Sequence, residues 1–178
     1  MEYLLESGRL RYRENVDADA PFLIDLLGDP EVMRFWPRPY TPEEAVAWIA
    51  RMRARHAEDG YAYWLAEEKA SGRPIGQVGL LRQVVEGRTE IGIGYIIHRA
   101  FWRRGYAAEG ARAMRDYAFD VLRVPRLVTL IRPANIPSLN VVWKLPGMRP
   151  EKLVTYADFE HLVFFETAEK AETGPSGR

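Results

Sequence analysis

Glu90-Ile91-Gly92-Ile93-Gly94-Tyr95-Ile96-Ile97-His98, followed by Arg99-Ala100-Phe101-Trp102-Arg103-Arg104-Gly105-Tyr106-Ala107 and an alanine-rich run to Leu122, is the stretch on which the fold turns. The first segment is β-branched and aromatic and reads as a strand. The last puts Ala107, Ala111, Met114, Ala118, Val121 and Leu122 at helical spacing and reads as an amphipathic helix. A short basic, glycine-bearing loop joins them. Free N–H groups and the positive end of the helix meet there, which is the architecture of an anion site. Two local rules are broken. No Ser, Thr, Asp or Asn opens the helix to satisfy its orphan N–H groups. Arg103 and Arg104 also stand where the helix dipole disfavours cations. A bound anion would supply both missing terms. Gly92 and Gly94 inside the strand mark a bulge or the close approach of a ligand backbone.

The flanking sequence supplies the rest of a sheet. Arg9-Leu10-Arg11-Tyr12-Arg13 alternates strictly and predicts a half-buried strand with arginines outward. Asp17 is positioned to cap a helix carrying Phe22, Leu23, Leu26 and Leu27. Thr41-Pro42-Glu43-Glu44 is a capping box with proline at the first helical position, and the helix behind it should bury Ala45, Trp48, Ile49 and Met52. Residues 61–66 and 75–85 and the central strand form a predicted antiparallel meander. A β-rich run at 126–131, a short helix within 133–145 and a hairpin of 152–156 with 159–166 about Ala157-Asp158 complete the chain. With no repeat and no linker, residues 1–167 read as one domain and 168–178 as a flexible tail.

Composition narrows the function. The 178 residues are 47% apolar, enough for a sizeable core, and carry zero formal net charge. That argues against a general nucleic-acid or membrane-surface binder. There is no cysteine, so disulfides, thiolate metal sites and a cysteine nucleophile are excluded. His56, His98 and His161 lie far apart without metal-ligand spacing, so no metal is expected. No leader-like segment opens the chain and no apolar run is long enough to span a membrane, which points to a soluble, cytoplasmic protein. The third glycine of the dinucleotide fingerprint, the Walker lysine and the nucleophile elbow are all lacking.

Trp102-Arg-Arg-Gly105-Tyr106-Ala107-Ala108-Glu109 resembles the acetyl-CoA loop of the GNAT superfamily of N-acetyltransferases, [Q/R]-x-x-G-x-[G/A], with Gly105 and Ala107 at its last two fixed positions. Trp102 replaces the usual Gln or Arg, as in the branch resembling ribosomal-protein-alanine acetyltransferases. Asn135-Ile-Pro-Ser138 resembles the N-x-x-S element of the same branch, and both residues are equally good helix caps. The resemblance implies an α+β fold in α/β/α layers: a mixed, mostly antiparallel, splayed sheet with helices on both faces. It implies acetyl-CoA as cofactor, its pantetheine arm on main-chain groups near Tyr95, Ile96 and Ile97. Its diphosphate would sit over the amides of Arg103, Arg104, Gly105, Tyr106 and Ala107, with Trp102, Asn135 and Ser138 close by. Two departures stand out. Lys144-Leu145-Pro146-Gly147-Met148 has one residue more than the family's K-L-G-[MF]. Val142 stands where many members place a tyrosine that protonates the leaving thiolate.

The chemistry requires a neutral amine. A lysine side chain has a reference pKa of roughly 10.4 and an α-amine about 7.7–8.0, so an N-terminal amine needs less help from a base. Glu90 is the candidate base, its alternative reading being an edge-of-strand carboxylate. Ser138 is the candidate proton donor or thiol contact, its alternative a plain cap; Tyr95 is a further donor unless it belongs to the core. Backbone N–H groups near Ile96 are the expected oxyanion donors. Phe35, Trp36 and Tyr40 form one wall of the acceptor cleft, or else Tyr40 staples the helix that starts at Thr41. The acceptor is an amine-bearing small molecule or a protein N-terminus, and a homodimer is compatible with the sequence. The other reading, kept open by Val142 and the displaced glutamate, is a catalytically silent acyl-CoA-binding or sensing domain.

Overall fold

Thr41-Pro42-Glu43-Glu44 starts a helix as predicted. Thr41 Oγ1 accepts from the Glu44 N–H at 3.3 Å and the Glu44 carboxylate accepts from the Thr41 N–H at 2.8 Å. This helix, α2 (Pro42–Asp59), buries Ala45, Trp48, Ile49 and Met52 and ends at Gly60 in the left-handed region. The computed structural model describes residues 2–168; apart from Ala168, whose N–H donates to the Pro125 carbonyl, the tail expected at 168–178 lies outside them.

The chain runs β1 (Leu5–Glu6), β2 (Leu10–Arg13), α1 (Ala20–Gly28), α2, β3 (Tyr63–Glu68), β4 (Pro74–Val85), β5 (Arg88–Ile97), α3 (Tyr106–Asp116), β6 (Arg126–Ile131), α4 (Ile136–Val142), β7 (Arg149–Tyr156) and β8 (Phe159–Thr167). The strands make one sheet in the order β1-β2-β3-β4-β5-β6-β8-β7. Every neighbouring pair is antiparallel except β5 and β6, so the sheet is mixed and mostly antiparallel, as expected. Glu86 and Gly87, both at positive φ, turn β4 into β5. Ala157 and Asp158 turn β7 into β8 in the same way.

Alternation along β3 divides the core between two faces. Trp64 and Ala66 pack with Ala111, Met114 and Ala118 behind α3, whereas Tyr63 and Leu65 pack with Leu23, Leu26, Trp48 and Met52 under α1 and α2. Helices thus cover both faces of the sheet.

Three readings of the sequence need correction. Asp17 does not cap the first helix: α1 follows Asp19, and the Asp17 carboxylate accepts from Arg53 Nη1 at 2.9 Å. Arg13 does not point outward: it is 6% exposed, with Nε 2.7 Å from Glu67 and both terminal nitrogens 2.8 Å from Asp19. The alternation rule fails there because two buried carboxylates neutralise the guanidinium. Val121 does not face the core but is 62% exposed. Tyr117–Val121 is a π-helical turn, closed by the Leu122 N–H on the Tyr117 carbonyl at 3.1 Å. The wider turn shifts the helical phase and rotates Val121 away.

Candidate active site

β5 and β6 run parallel but share one registered pair, Gly92 opposite Val128. Beyond it they part, and the outer edge of β5 opens toward the gap. The His98 N–H donates to the Ile75 carbonyl at 2.9 Å, so alternation turns the main-chain groups of Ile96 toward β4 and those of Tyr95 and Ile97 toward the gap. Ile96 is therefore spent on the sheet and, at 2% exposure, on the core beneath α1 and α2. The Ile97 carbonyl is taken by Trp102, whose indole N–H reaches it at 2.6 Å. Of the three residues expected to offer main-chain contacts, Tyr95 offers both groups and Ile97 its N–H.

On one side of the gap lies a cavity of about 580 Å³ lined from β5 by Tyr95 and Ile97, from the loop and α3 by Phe101, Trp102, Arg103, Gly105, Tyr106 and Ala107, and from α4 by Asn135 and Ser138. No side chain caps α3; its cap residue is Gly105 at φ 82°, preceded by Arg103 at φ 62°. The orphan N–H groups of this helix thus face an open cavity whose charged lining is one carboxylate, Glu31, and cations that include Arg103. Arg34 and Lys144 add two more that the sequence reading missed, since each arrives from a distant segment. Arg104 is turned aside, its guanidinium 5.5 Å over the Phe101 ring. The loop is braced by Arg9, just before β2, which donates Nη1 to the Arg104 carbonyl at 3.0 Å and Nε to Glu109 at 2.7 Å.

On the other side lies a cavity of about 390 Å³ whose walls include Trp36, Tyr40, Trp48, Arg51, Arg55, Tyr63, Gln83, Gly94, Thr129, Tyr156 and His161. Trp36 and Tyr40 line this cavity together, whereas Phe35 lines the first one. Tyr40 also meets Trp48 edge-on at 5.7 Å, so the wall and the packing role coincide. Trp48 is oriented by its N–H on Gln77 Oε1 at 2.9 Å. The glycines of β5 admit protein rather than ligand. A Cβ on Gly94 would fall on the Tyr63 hydroxyl, one on Gly92 would meet the Gln83 amide at 2.8 Å, and β5 carries no bulge.

Tyr95, Asn135 and Ser138 line both cavities. The Tyr95 hydroxyl donates to the Ser138 carbonyl at 3.1 Å across the gap, and burial raises its pKa, so it is a protonated donor at neutral pH. The Asn135 side chain caps α4, accepting from the Ser138 N–H at 3.2 Å. Val142 is buried in the core and reaches neither cavity. His161 holds its Nδ1 3.0 Å from the Phe159 carbonyl, which makes that nitrogen the protonated one and leaves the Nε2 lone pair free. Burial lowers its pKa; the Phe159 bond opposes this and the Arg132 charge adds to it.

Glu90 is elsewhere. Its carboxylate is 3.4 Å from Arg126 Nε, its side chain is 10% exposed, and it lines neither cavity. Arg126 also binds Glu151 at 2.6 Å, so Glu90 belongs to an ion cluster joining β5, β6 and β7. The expectation of a base at this position gives way to a structural one, because strand alternation fixes the face but not the distance along it. His161 escaped notice because its place depends on β8 crossing beside β6. Among the described residues no group of three or more His, Asp or Glu could hold a metal, and no helix is long and apolar enough to cross a membrane.

Residues 9–148 match the acetyltransferase (GNAT) domain. Two Bacillus subtilis proteins are similar to this chain along most of their length. YkkB is 34% identical over 84% of this chain and 87% of its own, and the N-acetyltransferase YnaD, itself uncharacterized, is 30% identical over 80% and 81%. The crystal structure of the aminoglycoside acetyltransferase AAC(6′)-Ib with coenzyme A superposes with a TM-score of 0.73 at 18% identity, covering 89% of this chain and 94% of that one. An acyl-transfer scaffold with a split cleft is the class these features define. The chain belongs to the GNAT acetyltransferase family and is an N-acetyltransferase that uses acetyl-CoA.

Proposed function

We propose that this chain moves the acetyl group of acetyl-CoA onto a primary amine, on an amine-bearing small molecule or a protein N-terminus, at the place where its two cavities meet. The observation that carries this reading is that Tyr95, Asn135 and Ser138 belong to both cavities, at the point where β5 leaves β6. Acetyl-CoA supplies an activated acetyl group as its thioester. The residues present fit it: the uncapped start of α3, with Arg34, Arg103 and Lys144 around it, would hold phosphate. The N–H groups of Tyr95 and Ile97 would hold the pantetheine arm and polarise the thioester carbonyl.

The acceptor amine has to lose a proton before or as it attacks. His161 is suited to take it through Nε2, since its lowered pKa leaves the imidazole neutral at physiological pH. The departing sulfur needs a proton or a hydrogen bond. The Tyr95 hydroxyl stands at the junction and would turn its single proton from the Ser138 carbonyl to that sulfur, in place of the tyrosine that Val142 replaces. Asn135 fixes the first turn of α4 and with it the Ser138 carbonyl that orients Tyr95, a positioning role.

Release of coenzyme A thiol, measured with acetyl-CoA and a panel of primary amines, with product mass as a second readout, tests the reading. Amine-dependent release with a gain of one acetyl group on the amine is expected. Tight binding of acetyl-CoA with no amine-dependent release from any acceptor would overturn it and favour the sensing domain.

A further inference from the structure

Among the described residues no carboxylate lines the acceptor cavity. Its ionisable walls are Arg51 and Arg55 on α2, Arg82 on β4, Tyr40, Tyr63, Tyr95 and Tyr156, and His161. Arg82 is neutralised locally by Glu58 at 2.5 Å and Asp59 at 3.2 Å. Among the described residues Arg51 and Arg55 have no carboxylate within ion-pair distance. Arg51 is held instead over the rings of Trp48 at 4.9 Å and Tyr40 at 5.8 Å. One turn apart on α2, these guanidiniums present fixed positive charge to a space meant for an amine. A second observation concerns the same cavity. Thr129 is 3% exposed and its hydroxyl has no hydrogen-bond partner, and the buried amide oxygen of Gln83 has none either; both line this cavity.

We infer that the acceptor is a primary amine that also carries a carboxylate, such as a free amino acid. This rests on the acetyltransferase reading of the same site and narrows it. The carboxylate is taken by Arg51 and Arg55, whose planar donors suit it. The amine donates to the Gln83 amide oxygen and the Thr129 hydroxyl, which otherwise stay buried and unpaired. The same positive wall disfavours the ammonium form of a bound amine, so a weak base such as His161 suffices. A polycation gains nothing from such a wall and is repelled by it. A peptide continued through its first carboxyl group lacks the anion that the wall would hold.

The test compares common L-amino acids with their own α-amides, with spermidine and ribostamycin as polycations, by kcat/KM for thiol release. At least one acid should exceed its amide by about tenfold or more, the size of a charge-assisted hydrogen bond in an equilibrium. In the Arg51→Gln, Arg55→Gln double variant that ratio should fall to within about twofold of unity. A preference for amides or polycations, or an acid preference that survives the double variant, would overturn the inference and leave the acetyltransferase reading intact. Calorimetry with N-acetyl amino acids and their amides, in the presence of coenzyme A, needs no turnover. Tighter binding of the acids supports the inference and equal binding overturns it, even where no amine is acetylated.

Discussion

Two glycines, Gly105 and Gly60, separate the cost of a backbone shape from the cost of a blocked ligand. Both are left-handed, with φ 82° and ψ 4° at Gly105 and φ 79° and ψ 0° at Gly60. A Cβ at Gly60 meets nothing within 4 Å, and one at Gly105 meets only the flexible end of Arg9 at 3.5 Å. Alanine at either site therefore costs the left-handed penalty alone, about 1 kcal/mol, or roughly 2–4 °C in Tm for a chain of this size. Against a typical stability of about 5–15 kcal/mol both variants stay folded. They should part on coenzyme A. On the proposed reading the diphosphate sits over the Gly105 turn and nowhere near Gly60, so affinity should fall at least about tenfold, or 1.4 kcal/mol, in Gly105→Ala alone. At a coenzyme A concentration about 100 times the wild-type Kd, linkage adds about 2.7 kcal/mol of stability. Melting scans with and without ligand should show that shift in the wild type and Gly60→Ala but only about half of it, about 1.4 kcal/mol, or less in Gly105→Ala, and calorimetric titration gives the affinities directly. Equal affinity in the two variants would remove the diphosphate from this turn.

Tyr95→Phe should lower kcat by about tenfold while the Kd for coenzyme A stays within about twofold, the loss of one hydrogen bond made to the departing sulfur. Equal losses in kcat and affinity would instead mark Tyr95 as packing. The rate should fall on the acid side through a pKa below the ordinary histidine value of 6.5, because protonation removes the base and burial makes it harder to protonate; in His161→Gln that limb should vanish and the neutral-pH rate drop. A wild-type profile in the variant would exclude His161. Glu90→Gln should leave kcat/KM within about twofold, since its carboxylate serves an ion cluster away from both cavities; a large drop would restore it to the chemistry. Glu67→Gln should cost about 3 kcal/mol in chemical denaturation, because Arg13, Arg11 and Tyr3 all address that carboxylate and Arg13 is buried. A loss below about 1 kcal/mol would mean that Asp19 alone suffices.

What could be read from the letters was local. The capping box at Thr41, the apolar face behind it, the meander and the glycine-bearing turn before α3 depend on residues within one or two turns of each other, and they formed where expected. What stayed hidden depends on strands and loops that meet only in the fold. Arg13 turns inward because Asp19 and Glu67 wait there. Val121 turns outward because one wide turn changes the phase of a regular pattern. Glu90 is drawn to Arg126 across the parallel pair, and His161, Arg34 and Lys144 reach their cavities from distant segments. Gly94 was noticed as an irregularity, but its cause, the Tyr63 hydroxyl lying against the strand, is a contact between chain positions thirty-one residues apart.

The single registered pair between β5 and β6 has a kinetic meaning. Because the sheet opens there, on the proposed reading the donor would come in past α3 and α4 and the acceptor past α2, with neither doorway behind the other. Both molecules can be resident together, so the group is handed over directly and no acylated side chain has to store it between visits. Double-reciprocal plots for such an arrangement intersect rather than run parallel.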